Sequence, residues 1–180
     1  SFSTQWVVPS YHTGKPGEAE ALDLLAEILG GGTRSRLYQQ LVVKQGIASS
    51  VGAYFQGTML DATNFTVYAT PSGDAKLADV EAAVNAEVTR IAKEGVTEEE
   101  VDKAKLRLER SMVFARDKQE TMANMYGATL ATGGTVEDIR NWPDRIGKVT
   151  ADEVKAVAAR YLVLDHATTG YLLPQQQAGN

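Results

Sequence analysis

A chain of 180 residues, 43% hydrophobic and 23% charged, has the size and composition of a single globular domain. It contains no cysteine, which excludes a disulfide framework, a thiolate zinc site and a catalytic cysteine. A net charge of −5 offers no basic footprint for nucleic acid, and no apolar run approaches the ~20 residues of a membrane span.

The chain opens Ser1-Phe2-Ser3-Thr4, with neither an initiator Met nor a signal-peptide pattern. The expectation is a processed piece of a larger polypeptide, organised as one domain over 1–174 and a tail over 175–180. Residues 5–12 (QWVVPSYH) read as a strand, with Trp6, Val8 and Ser10 on one face. Pro9 cannot donate to a ladder and marks a sheet edge or a strand end. Residues 18–29 carry Leu22, Leu25, Ile28 and Leu29 at helical spacing, and Gly30-Gly31-Gly32 stops that helix. A second short helix, SRLYQQLVVKQ, is capped by Thr33 or Ser35 and turns Leu37 and Leu41 inward.

Two strand-like runs follow. One places Ile47, Ser49, Val51, Ala53 and Phe55 on a face; the other does so with Phe65, Val67 and Ala69. Together they predict an antiparallel hairpin with one buried side. Over 75–94, Leu77, Val80, Val84, Val88 and Ile91 step by three and four, predicting a long helix ended by Gly95. Thr97-Glu98-Glu99-Glu100 is a capping box that opens the next helix, through Val101, Ala104, Leu108 and Met112. Further helices are predicted over 118–132, interrupted by Gly127, and over 136–147, broken at Trp142-Pro143. Thr150-Ala151-Asp152-Glu153 is a second capping box, for a helix that buries Val154, Val157, Ala158 and Tyr161. The closing strand is ATTGYLLP. The fold class is therefore α+β: a mostly antiparallel four-stranded sheet covered by helices, on a split β-α-β plan with a helical insertion over 97–161.

Chemistry-bearing motifs are sparse. His12 and His166 have no Glu at zinc-peptidase spacing, so the reading assigns no metal ligand and no catalytic residue. Ser49, Ser50 and Asp165 could join a histidine only without the G-x-S-x-G elbow. Gly30–Gly32 lacks the Lys of a phosphate loop and reads as a helix–helix joint. The basic run from Lys103 to Lys118 is interleaved with Asp102, Glu109 and Asp117, as on a solvated helix face.

More specific is Leu24-Leu25-Ala26-Glu27-Ile28-Leu29, then Gly30-Gly31-Gly32, then Ser35-Arg36-Leu37-Tyr38. The strand pair 47–70, the Thr97 helix with Ala104-Lys105, the Met122-to-Gly133 helix, Thr150 to Val154 and the last strand then follow in order. This succession resembles the second, non-catalytic domain of the insulysin/pitrilysin zinc peptidases, including the mitochondrial processing peptidases and their bacterial two-subunit relatives.

The resemblance implies a metallopeptidase-like fold and a place in a clamshell that closes over an unfolded peptide. It puts zinc on an N-terminal H-x-x-E-H domain outside this chain, with no cofactor in the chain itself. Implied partners are that N-terminal domain and a homologous subunit or second copy. In the family, an Arg and a Tyr seven residues apart after the S-R-L-[YF] helix hold the substrate backbone. Here those positions fall on Val42 and Ser49, which lack the needed donors. The resemblance thus points to the C-terminal half of a zinc-bearing subunit, whose partner supplies the Arg/Tyr pair. A periplasmic location is compatible with a bacterial parent. An inactive scaffold subunit and a stand-alone split-βαβ binding or assembly module are the alternatives.

Overall fold

The sheet is antiparallel throughout, in the order β2-β3-β1-β4, and helices cover one of its faces. The computed structural model describes residues 1–173. Pro174 and the tail assigned to 175–180 lie outside the described residues.

β1 spans Phe2–Val8, β2 Ala48–Phe55, β3 Thr63–Pro71 and β4 Thr168–Tyr171. β1 begins earlier than the sequence suggests and stops before Pro9; Tyr11, His12 and Thr13 form a turn closed by Gly14 N–H donating to Ser10 O. Pro9 marks a strand end, and β1 itself lies inside the sheet. Phe2, Thr4, Trp6 and Val8 alternate onto the covered face. Trp6 meets Phe65 edge-on at 6.5 Å and donates its indole N–H to Val163 O at 3.0 Å, so its polar end is satisfied within the core.

The first helix, α1 (Glu18–Gly30), lies against β2 and contacts the helical elements. It is buried on nearly every side, Leu22, Leu24, Leu25 and Leu29 completely. Its end runs so close to the sheet that a Cβ on Gly30 would sit 2.0 Å from Ala53 N, which explains glycine there. The segment that follows departs from an ordinary α-helix: Tyr38–Lys44 is wound as a π-helix, and Gln45 N–H bonds to Gln40 O at 3.0 Å. Leu37 and Leu41 still point inward. Ser35 caps nothing with its side chain; its hydroxyl donates to Gly32 O at 2.6 Å and closes the joint.

The hairpin of β2 and β3 forms as expected, with one correction. Ala48 pairs with Pro71 and Ser50 with Thr70, leaving Ser49 as the extra residue of a bulge. Ser49 is exposed and does not share the buried side of Val51 and Ala53.

α2 (Leu77–Glu94) buries Val80, Val84, Val88 and Ile91. α3 (Glu98–Arg116) and α6 (Ala151–Tyr161) open with the expected Thr97/Glu100 and Thr150/Glu153 capping boxes. α4 (Gln119–Ala131) passes through Gly127 unbroken, because one glycine costs an exposed helix only about 1 kcal/mol. α5 (Val136–Lys148) is likewise continuous through Pro143. Buried Ile139 and Ile146 anchor it on either side of the proline and hold the helix together despite the lost backbone bond. A third capping box, Thr135 with Asp138, starts α5.

Acidic residues of α1 connect it to three other helices. Glu18 accepts from Arg160 and Tyr161 of α6, Glu20 from Arg145 of α5, and Glu27 from Arg107 of α3. Part of the basic run on α3 therefore meets fixed partners: Arg107 binds Glu27, Lys103 binds Glu99, and Lys105 reaches Gly147 O at 3.0 Å.

Candidate functional site

The two histidines do not make a zinc site. His12 lies in the turn after β1 and His166 in the short 3-10 turn Leu164–His166 before β4; both are exposed. Among the described residues, no three His, Asp or Glu side chains come together in a group able to hold a metal ion. The donor set therefore does not fit zinc, which needs about four ligands, three of them from protein at a catalytic site.

Val42 lies on the π-helix, half-buried against the core. Ser49 lies on the β2 bulge, and its hydroxyl donates to Thr70 O at 3.2 Å and Pro71 O at 3.1 Å. Those bonds turn Ser49 back onto its own hairpin. The backbone bond from Ile47 N–H to Leu41 O, at 3.0 Å, joins the segments that carry the two residues.

Two features stand out that motif reading missed. The first is the sheet face opposite the helices. Ser3, Gln5 and Val7 of β1, Ser50 and Tyr54 of β2, and Asn64, Thr66 and Tyr68 of β3 occupy it. None of the paired positions on that face carries a charge. The Tyr68 ring lies over Gly52, where a Cβ would meet it at 2.5–2.8 Å, and packs beside Tyr54 with ring centres 6.4 Å apart. Val7 is 72% exposed and Tyr54 49%, so this is an open, uncharged surface on which a few aliphatic and aromatic side chains stand among small polar ones.

The second is a cavity of about 650 Å³ bounded by the β1–α1 loop, α1, the end of β2 with the loop after it, α3, α4 and α5. Asp23 of α1 lines it. Its Oδ2 accepts from the Tyr11 hydroxyl and, at 3.4 Å, from Trp142 Nε1. Trp142 Nε1 also donates to the Tyr11 hydroxyl oxygen at 2.6 Å. Arg145 stands over the Tyr11 ring at 5.9 Å while binding Glu20 at 2.5 Å. Burial raises the Asp23 carboxyl to about 7, and nearby Glu20 adds to the rise, while the Tyr11 and Trp142 donors and Arg145 oppose it. Burial and the Asp23 charge together push the Tyr11 phenol well above its ordinary value, so it stays a donor. Asp23 carries no distinct sequence signal: it falls on the helix face of Glu20 and Glu27, three before and four after it, and reads as part of an ordinary polar stripe. Its partners, 12 and 119 residues away, leave none either.

Comparison with known proteins gives the wider setting. The family described as "Peptidase M16 inactive domain" matches residues 4–108. A protein named as an uncharacterised zinc protease of Streptomyces coelicolor is 33% identical over 153 residues, covering 81% of this chain and 32% of its own. One of the same description from Rickettsia felis is 34% identical over 131 residues, covering 73% of this chain and 31% of its own. The chain thus spans about a third of the length of these curated relatives.

Among solved structures, an inactive peptidase domain from Bordetella parapertussis superposes with a TM-score of 0.85 at 20% identity, over 99% of this chain and 92% of that one. A protease from Helicobacter pylori gives 0.83 at 21% identity, over 93% of this chain and 39% of that one. At such identities the structures establish the fold alone. The family match covers more than half of the chain, and with the relatives above it shows that the chain belongs to the peptidase M16 family, as an inactive domain of the C-terminal type.

Proposed function

We propose that this domain is one wall of the closed chamber of a zinc metallopeptidase, with the metal held by an N-terminal domain of the same longer polypeptide. The observation that carries the reading is a helix-free, uncharged sheet face in a member of a family described as inactive. Helices back that face and make it stiff, and its tyrosines offer contact area with little loss of side-chain freedom. An extended peptide could lie on such a wall whatever its charge pattern. A folded protein could not enter a closed chamber, so selection is by conformation and size.

Val42 and Ser49 stand where an Arg and a Tyr would hold a substrate backbone. Val42 has no polar side-chain atom, and the Ser49 hydroxyl is committed to two carbonyls of its own hairpin. A homologous subunit, or a second copy, would therefore supply that pair. The test is selectivity of the longer polypeptide with its partner. It should cleave an unfolded polypeptide and spare the same polypeptide when folded. Equal cleavage of both forms would contradict a closed chamber.

A further inference from the structure

The cavity beside α1 has no part in the chamber reading, and its chemistry is specific. Its volume of about 650 Å³ falls within the ~300–1,000 Å³ usual for small-molecule sites. Phe55, Leu108, Met112, Met125, Ile139 and Trp142 give it apolar walls. One polar group stands out. Asp23 Oδ2 is held by Tyr11 and Trp142, but Oδ1 accepts no hydrogen bond among the described residues. Among the described residues the sealed side-chain oxygen without a partner is Asn85 Oδ1, so Asp23 Oδ1, which also lacks one, is not fully sealed.

The sign of the surroundings decides what can bind. Glu20 and Asp138 also line the cavity, and the Arg145 guanidinium is engaged by Glu20 and by Asp138 O. Lys15 and His12 come from the loop, while the lining residues of α3 and α4 carry no charge. An anion would meet three carboxyls with the nearest guanidinium already taken. A cation would meet the second Asp23 carboxylate oxygen in a cavity lined by the aromatic side chains of Tyr11, Phe55 and Trp142. The cluster already holds one cation against an aromatic face, Arg145 over Tyr11.

We propose that this cavity binds a small primary amine on an apolar body, with the ammonium group on Asp23 Oδ1 and the body against the walls of α3, α4 and α5. Tyr11 and Trp142 fix the carboxyl orientation and leave the second oxygen for the ligand. The site is independent of the zinc peptidase reading and of the open sheet face.

The test uses 2-phenylethylamine as probe and tryptophan fluorescence as readout. Of the two tryptophans, Trp6 is buried in the core, so a change on titration reports Trp142. The amine should bind saturably, and phenylacetate, with the same ring and the opposite charge, should not. Asp23→Asn, which keeps an acceptor for Tyr11, should weaken the amine at least about tenfold, the scale of one charge-assisted hydrogen bond. Ala115→Phe fills the lining from α3 without touching the polar cluster and should abolish binding while the far-ultraviolet dichroism stays unchanged. Failure of the amine to bind at millimolar concentration overturns the proposal. So does equal binding of phenylacetate, an unchanged affinity in a folded Asp23→Asn protein, or full binding by Ala115→Phe.

Discussion

Arg36 and Glu100, 64 residues apart in sequence, are joined by two parallel hydrogen bonds, Nε to Oε1 at 2.6 Å and Nη2 to Oε2 at 2.7 Å. The same guanidinium reaches Gly95 O at 3.2 Å and lies 3.6 Å from buried Glu87. The Arg36 of the S-R-L-Y run therefore ties the π-helix segment to the α2–α3 joint. Glu100 is also the closing residue of the α3 capping box, so one carboxylate serves a helix start and a tertiary contact. Lysine cannot reproduce the planar fork. Arg36→Lys should cost about 1–2 kcal/mol of unfolding free energy, measured by urea denaturation. An unchanged midpoint would show that the fork contributes nothing.

Glu100 and Asp23 give opposite pH dependences. The Arg36 hydrogen bonds hold the Glu100 carboxyl down at about 2, so its contribution is present above its ordinary value of 4.5 and lost as pH falls toward 2. Asp23 is raised from 3.8 to about 7 by burial, facing Tyr11, Glu20, Trp142 and Arg145. Its protonated form is favoured by the fold. That contribution is fully present below 3.8 and is lost as pH rises through about 7. Stability should therefore decline between about pH 4 and pH 7, by an amount on the order of a few kcal/mol. Asp23→Asn should remove the decline. Denaturation at several pH values checks this, and an Asp23→Asn protein with the parental slope would contradict it.

Two glycines in or at the end of helices should respond in opposite directions to alanine. At Gly30 a Cβ would meet Ala53 N at 2.0 Å and Gly52 C at 2.5 Å, both backbone atoms that cannot swing away. Gly30→Ala should cost about 2–3 kcal/mol through forced separation of α1 from β2. At Gly127, inside α4, a Cβ would meet nothing within 4 Å. Gly127→Ala should stabilise by about 0.5–1 kcal/mol. Thermal melting of the two proteins distinguishes them by sign.

Much of this architecture was legible because local physics dominates it. The Leu22-to-Leu29 stripe, the Val80-to-Ile91 stripe and the Thr97 and Thr150 boxes each specify an element within a few residues. The Thr135 box was passed over because its closing residue is Asp138 and not Glu or Gln. Pro143 and Gly127 read as breaks, since a local rule cannot weigh the anchoring of Ile139 and Ile146 or the small cost of one exposed glycine. The π-winding at Tyr38–Lys44 and the bulge at Ser49 shift register by a single residue, and periodicity does not resolve such a shift. The Tyr11–Asp23–Trp142 cluster is made by three segments meeting in space. The uncharged sheet face emerges only once the strand order β2-β3-β1-β4 is known.

Metal analysis of the purified 180-residue chain beside that of the longer natural polypeptide, with cleavage of an unfolded peptide followed in the same samples, tests the central claim most directly. The chain by itself should carry no stoichiometric zinc and leave the peptide intact. The longer polypeptide should hold zinc and lose activity to a chelator. Stoichiometric zinc on the isolated chain, together with chelator-sensitive cleavage, would contradict the account.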